Sequence, residues 1–295
     1  MTDVLHVAAS VSFTLPLEEA RAINVEGTRH ALEFAERCQE RGSFRRFSHV
    51  STAYVAGTYT GEFGEEDFDV GQEFRNSYEQ TKFESERLVR SYSDRLPVQV
   101  FRPSIIVGDS ETGWTSSFNV MYAPLKAFQR HTVLAVPARG RAPVDVVPVD
   151  YVADAIVELV EHPEDDGPRT YHLVAGRKAT TVRRLIELAA RHFGKRPPPL
   201  IPTPIYMALV HPLIRRIGSR RRREALRRNQ VFIPYFSMRL RYDDAKTRRR
   251  LGRARIAVPP VESYFHRLID FAVRAKWGKV DVPRHAAGRT PVAVS

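Results

Sequence analysis

The stretch Asn76-Ser77-Tyr78-Glu79-Gln80-Thr81-Lys82 sets a phenol and an ammonium four residues apart at the start of a predicted helix. Positions i and i+4 share one helix face. A cation on that face favours the phenolate. The expectation is a tyrosine that holds or delivers a proton nearer neutral pH than its reference value of about 10. Asn76 with Glu79, or Ser77 with Gln80, supplies a capping-box start. The spacing alone is common, and a surface tyrosine beside a solvated lysine would account for it. Its neighbours decide the reading.

Working outward, Pro97 introduces Val98-Gln99-Val100-Phe101, a β-rich run that continues into Arg102-Pro103-Ser104-Ile105-Ile106-Val107-Gly108. On the other side, Phe47 to Ser51 forms a second short strand, followed by Thr52 and a polar, glycine-containing loop over residues 58–75. A helical pattern runs from Leu17 to Glu40 and Gly42 closes it. Before it, Asp3 to Ala9 (DVLHVAA) reads as a buried strand. Strand, helix, strand, helix, strand predicts a parallel α/β sheet. Ligands bind such sheets beyond the carboxyl ends of the strands. Ala8-Ala9, Ser51-Thr52 and Pro103-Ser104 are therefore expected to line one crevice, with the Tyr78 helix beside it. Past Gly108 the pattern loosens. It predicts helices over 120–129, 151–161, 181–193 (with Thr180 as cap), 205–217 and 261–277, strands over 144–149 and 171–174, and a linker at Pro197-Pro198-Pro199.

The 295 residues suffice for one large or two modest domains, and a hydrophobic content of 43% argues against wholesale disorder. Cys38 is the single cysteine, so no intrachain disulfide forms and no cysteine-based metal site is expected. That fits a reducing, cytoplasmic compartment. The N-terminus does not read as a secretory signal, and no run of about 18 apolar residues predicts a membrane span. The net charge of +12 is unevenly placed: between Arg215 and Arg255 stand 16 Arg and Lys against Glu224, Asp243 and Asp244. A solvated face accounts for the run. The functional alternatives are an anionic ligand and peripheral contact with an anionic membrane; nucleic acid is not expected. Ile205 to Ile217, apolar with a basic end, is either a buried helix or one lying in a membrane interface.

Six phrases in order resemble the extended short-chain dehydrogenase/reductase family: His6 to Ala9, Asn24 to Thr28, Val50 to Tyr54, Tyr78 to Lys82, Arg102 to Gly108, and Val147 to Asp154. Within it the chain is similar to the thioester-reductase and fatty acyl-CoA reductase (male-sterility-type) branch. Val50 to Val55, Phe74 to Tyr78, Gly108 to Gly113, Tyr235-Phe236, Tyr264-Phe265 and Lys276 to Gly278 carry that likeness. The implied fold is α/β, an N-terminally incomplete Rossmann-type parallel sheet with helices on both faces and a smaller, mostly helical C-terminal substrate region. Residues 1–175 would be the partial NAD(P)-binding domain, 176–280 the Arg-rich substrate region and 281–295 a loose tail, with interleaving around 109–175.

The resemblance implies roles. Tyr78 would protonate a developing alkoxide, Lys82 would lower its pKa and hold the nicotinamide ribose, and Thr52 would bind the substrate carbonyl oxygen. Pro103, Ser104 and Ile106 would lie along the nicotinamide, and Ala8 and Ala9 near the adenosine side. The cofactor would be NADP or NAD, with NADPH favoured for a reductase, and no metal is implied. Plainer readings stand beside these: Thr52 as an ordinary strand end, Ala8-Ala9 as packing, Asn24 as a helix or loop brace. His6 and His49 read as packed strand residues, and Asp150 and Asp154 as helix caps.

One departure matters. The family opens with a strand and a Gly-x-x-Gly-x-x-Gly turn that seats the pyrophosphate at a helix N-terminus. Gly57, Gly61 and Gly64 come nearest in spacing but follow the Thr52 strand, where they cannot serve. A stretch of roughly 60–80 residues, two or more βα units, is expected ahead of Asp3 in a complete relative. Its lack would leave exposed sheet edges and apolar faces. A late recorded start, a degenerate relative, and completion by a separate chain all explain this; intact catalytic residue types favour the first. The leading function is NAD(P)H-dependent reduction of an acyl thioester, fatty acyl-CoA among the candidates, to aldehyde or alcohol. A nucleotide-sugar epimerase or dehydratase uses the same Tyr/Lys pair, and an inactive homologue without dinucleotide binding is the non-enzyme alternative.

Overall fold

A computed structural model describes residues 2–118, 120–163 and 169–287. The chain divides into two compact units. The first comprises Met1–Ser104, Tyr151–Arg177 and Leu240–Ala257, the second Ile105–Asp150, Lys178–Arg239 and Val258–Ser295.

Along the chain the elements run β1 (Asp3–His6), α1 (Leu17–Arg21), a π-helical turn (Ala22–Glu26), α2 (Gly27–Glu40), β2 (Arg46–Val50), β3 (Gly61–Phe63), α3 (Ser77–Arg90) and β4 (Val98–Pro103). Next come β5 (Ile105–Val107), α4 (Tyr122–Gln129), β6 (Val136–Pro137), β7 (Pro143–Val144), β8 (Val146–Pro148), α5 (Val149–Glu161), β9 (Thr170–Leu173), β10 (Thr180–Thr181) and α6 (Val182–His192). The last part holds β11 (Leu200–Ile201), α7 (Thr203–Ile205), a second π turn (Tyr206–Val210), α8 (His211–Ile217), α9 (Arg220–Asn229), β12 (Leu240–Tyr242), α10 (Ala245–Arg253), α11 (Val261–Arg274) and α12 (Arg284–Ala287).

In the first unit, four parallel strands form a sheet of order β1-β2-β4-β9, the Rossmann-type α/β arrangement. Successive strand residues face opposite sides. Phe47, Val98 and Val100 join Leu32 and Ala35 of α2 and Val89 of α3 in one core. Further along the same strands the equivalent positions turn polar: His49 on β2 and Arg102 on β4 are fully buried. The opposite face carries Phe101, Tyr171 and Leu173, also buried. A buried strand over Asp3 to Ala9 is not what the structure holds. β1 ends at His6 and sits at the sheet edge, with Leu5 46% and Val7 57% exposed. Nor is 58–75 wholly a loop: β3 pairs in parallel with β12, a partner some 180 residues away that no local pattern could indicate.

The second unit has three short strand pairs, β5 with β8, β6 with β11, and β7 with β10. Its main core gathers Tyr264, Phe265, Leu268, Ile269 and Ala272 of α11 against Val107, Tyr122 and Val146. The residue that caps α6 is Thr181, whose Oγ1 accepts from Arg184 N at 3.2 Å; the cap expected at Thr180 lies one residue late.

Candidate functional site

Helix α3 positions the site. Asn76 Oδ1 accepts from Glu79 N at 3.0 Å, the first of the two caps that the sequence allows. The Glu79 carboxylate reaches back to Arg75 N at 2.9 Å rather than to the cap residue itself. Ser77 Oγ donates to Leu15 O at 2.7 Å, which ties the helix start to the segment following β1.

Tyr78, Lys82, Glu86 and Arg90 recur every fourth residue and so share one face of α3. That face matches the gradient along the strands beneath it. Val89 meets the apolar half of β2 and β4. Glu86 meets Arg102, with Oε1 to Nη2 at 2.7 Å and both side chains fully buried. Lys82 meets the end of β2: Nζ donates to Val50 O at 2.8 Å and lies 3.4 Å from His49 Nε2. Tyr78 lies beside the Thr52 side chain, just past that strand. Thr52 Oγ1 also donates to Pro103 O at 3.3 Å and accepts from Tyr54 N at 3.3 Å, capping the short 3-10 turn Ala53–Ala56. Thr52 and Pro103, expected at strand ends, thus come together in the first unit with Tyr78 and Lys82 of the helix expected beside them.

The electrostatics differ from the sequence expectation. Burial pushes the Tyr78 phenol up to about 12, and the Thr52 hydroxyl beside it only partly opposes this. The ring of Phe13 stacks on Tyr78 with centroids 5.7 Å apart, which contributes to that burial. Lys82 does not pull the phenol down. Its ammonium is itself desolvated, and burial brings it down to about 8 while Glu86 opposes. His49, buried with Lys82 nearby, is held well below the usual histidine range and is neutral.

Beneath the Tyr78–Lys82 pair lies a buried ionic layer that the sequence reading missed. Burial alone would raise the Glu86 carboxyl, but Arg102, Arg90 and Ser51 outweigh it and hold the group below its ordinary value. Ser51 Oγ donates to Glu86 Oε2 at 2.6 Å, and Arg90 Nε to Oε1 at 2.9 Å. Arg102 Nη1 in turn donates to Asp67 O at 2.8 Å and lies 3.2 Å from His172 Nε2. Desolvation and Arg102 lower His172 to about 3, so it stays neutral. The signal was present in the sequence as Tyr-x₃-Lys-x₃-Glu-x₃-Arg, a single helix face longer than the motif that drew notice.

Asn24 is a brace. Its Oδ1 accepts from Ser10 N at 2.7 Å, and Nδ2 donates to Ser10 O at 3.1 Å and to Thr81 Oγ1 at 2.9 Å. It thereby fixes the segment after β1 to α3. Ala8 and Ala9 lie in that segment, Ala8 exposed and Ala9 half-buried. Ser104 is buried at the end of the β4 run, and its Oγ finds no hydrogen-bond partner among the described residues. Ile106 belongs to the second unit, in β5, and is 43% exposed.

A family model described as male sterility protein, of an NAD-binding type, matches residues 1–156. The chain is 30% identical over 193 residues to the nonribosomal peptide synthetase asaC of Aspergillus flavus, covering 58% of this chain and 17% of that protein. It is 23% identical over 247 residues to fatty acyl-CoA reductase 1 of Arabidopsis thaliana, covering 66% of this chain and 50% of that one. The chain thus spans half or less of the length of these relatives. Among solved structures, the terminal R domain from the myxalamid PKS-NRPS biosynthetic pathway aligns with a TM-score of 0.73 and 26% identity, over 94% of this chain and 69% of that one. With more than half of its residues matched by the family model, the chain belongs to the NAD(P)-binding male sterility family, in the fatty acyl-CoA and thioester-reductase branch of the extended short-chain dehydrogenases/reductases.

Proposed function

We propose that this chain carries the proton-transfer half of an NAD(P)H-dependent reductase acting on an acyl thioester. The observation that supports it most is the placement of the Tyr78 phenol beside the Thr52 side chain, one helical turn from Lys82. The residue chemistry suits the nicotinamide-ribose end of the cofactor. An ammonium has three N–H groups, and Val50 O and His49 engage two from Lys82. The third, with the orphaned Ser104 Oγ, would hold a sugar hydroxyl or the carboxamide. The pyrophosphate end needs a glycine-lined strand-to-helix turn, and these 295 residues contain none.

Bound NAD(P)H would supply a hydride to the thioester carbonyl carbon. Thr52 and Tyr78 would take up the carbonyl oxygen as it gains negative charge. Tyr78, protonated throughout the physiological range at a pKa of about 12, is the group with a proton to give. Hydride and proton together yield a hemithioacetal, whose C–S bond breaks to release thiol and aldehyde; a second round gives the alcohol. Lys82 would stay cationic below about pH 8 and compensate the phenolate that Tyr78 becomes.

The test follows NADPH consumption, with acyl-CoA and, separately, with nucleotide sugars, by a version in which a glycine-rich strand–turn–helix segment precedes Asp3. Acyl-CoA should be turned over. Tyr78→Phe should lower kcat by about 10²–10⁴-fold, with NADPH affinity by fluorescence titration unchanged. Turnover of nucleotide sugars alone would assign the pair to epimerase chemistry. Absence of NADPH binding would leave a homologue without activity.

A further inference from the structure

The helical segment over residues 203–217 in the second unit has two apolar faces. Tyr206 and Ile214 are buried and pack with Val210 against Ala135, Ile201, Leu226 and Ile233. That accounts for one face. On the other, Leu209 is 66%, Leu213 54% and Ile217 73% exposed, with Ile205 continuing the row at 49%. These four recur every fourth residue. In an ideal helix each such step drifts by about 40°. The π turn Tyr206–Val210 winds wider and takes back part of the drift, so the four stay on one stripe. Large aliphatic side chains aligned this way make a contiguous apolar strip, which soluble surfaces seldom carry without a partner.

The strip is bordered by cations. Arg215 and Arg216 are exposed on α8, and Ser219 caps α9 so that Arg220, Arg221 and Arg223 follow at once, all exposed. Arginines in a first turn oppose the helix dipole, whose positive end lies there. An anion at the surface would relieve that arrangement, and long arginine stems can cover apolar surface while their heads reach phosphate.

We propose that the α7–α9 segment is an interfacial anchor that docks on an anionic phospholipid bilayer, with Leu209, Leu213 and Ile217 in the acyl boundary and the arginines among the headgroups. A convex strip with charge beside it fits a lipid plane better than it fits an acidic protein, which would need a groove or complementary ridge. No described helix is long and apolar enough to cross a membrane.

Flotation of the full chain with phosphatidylglycerol-containing and pure phosphatidylcholine vesicles tests this. Binding to the anionic vesicles alone is expected, weakened by salt. Leu209→Asp combined with Leu213→Asp should lower it at least about ten-fold, because each loses apolar burial in the membrane. Arg220→Gln with Arg221→Gln should weaken it less. These positions are exposed, so the thermal transition should not move, and its measurement separates lost binding from lost folding. No flotation by the folded wild-type chain would overturn the proposal. So would undiminished binding by the Leu variants, which would leave charge attraction alone, or capture of polyglutamate but not vesicles, which would assign the surface to an acidic protein.

Discussion

Two basic regions of this chain carry their charge in opposite ways. Between α3 and the sheet, Lys82 and Arg90 of the helix and Arg102 of β4 are each matched by Glu86, a backbone carbonyl or a histidine. On α8 and α9, the arginines stand in solvent beside an exposed apolar strip. A charge removed from water must be paired, and pairing fixes geometry. A charge left in water fixes nothing about its neighbours and remains available to a partner. The first arrangement suits a site whose atoms must hold position, the second a surface that meets a broad, deformable one.

The contrast can be broken most forcefully at Glu86. Glu86→Ala strands Arg102 in a fully buried setting and should cost about 3–5 kcal/mol in urea unfolding. A loss near zero would mean that the buried layer is not the support described here. Asn24→Ala comes next. It removes three hydrogen bonds between the segment after β1 and α3, worth about 1–3 kcal/mol where donors or acceptors are left buried, and should lower the melting temperature.

Lys82 sharpens the comparison through pH. Its folded pKa of about 8 lies below the free-lysine value of about 10.4, so the folded state binds this proton less tightly than the unfolded state. The penalty for its burial is therefore in full below pH 8 and fades as pH rises toward about 10.4. Urea stability should show a favourable contribution from this residue growing across that window, and Lys82→Met should remove it. Turnover should fall as pH rises through about 8, because the cation that compensates the phenolate is lost. The smallest effect belongs to Arg220→Gln, expected within about 0.5 kcal/mol of the wild-type stability.

Much of the first unit was legible. Short β-rich runs alternating with helical periodicity prescribe parallel strands, and the cap Asn76 and the pair Tyr78 and Lys82 could be placed on a helix from the capping pattern and the flanking strands. The β3–β12 pairing was not legible, since both runs are three residues long and far apart in sequence. Glu86 was overlooked because a carboxylate on a helix face ordinarily reads as solvated; only Arg102, brought opposite it by β4, makes it a core residue.

The sequence by itself determined which groups exist on the α3 face and their spacing, because helix geometry converts intervals of four into one stripe. Tertiary structure alone decided the acidity of those groups. A cation four residues away predicted a more acidic phenol, yet burial pushes Tyr78 up against the partial opposition of Thr52, and desolvation brings Lys82 down. Spacing along a helix is a local property, whereas the dielectric around a side chain is set by everything folded over it.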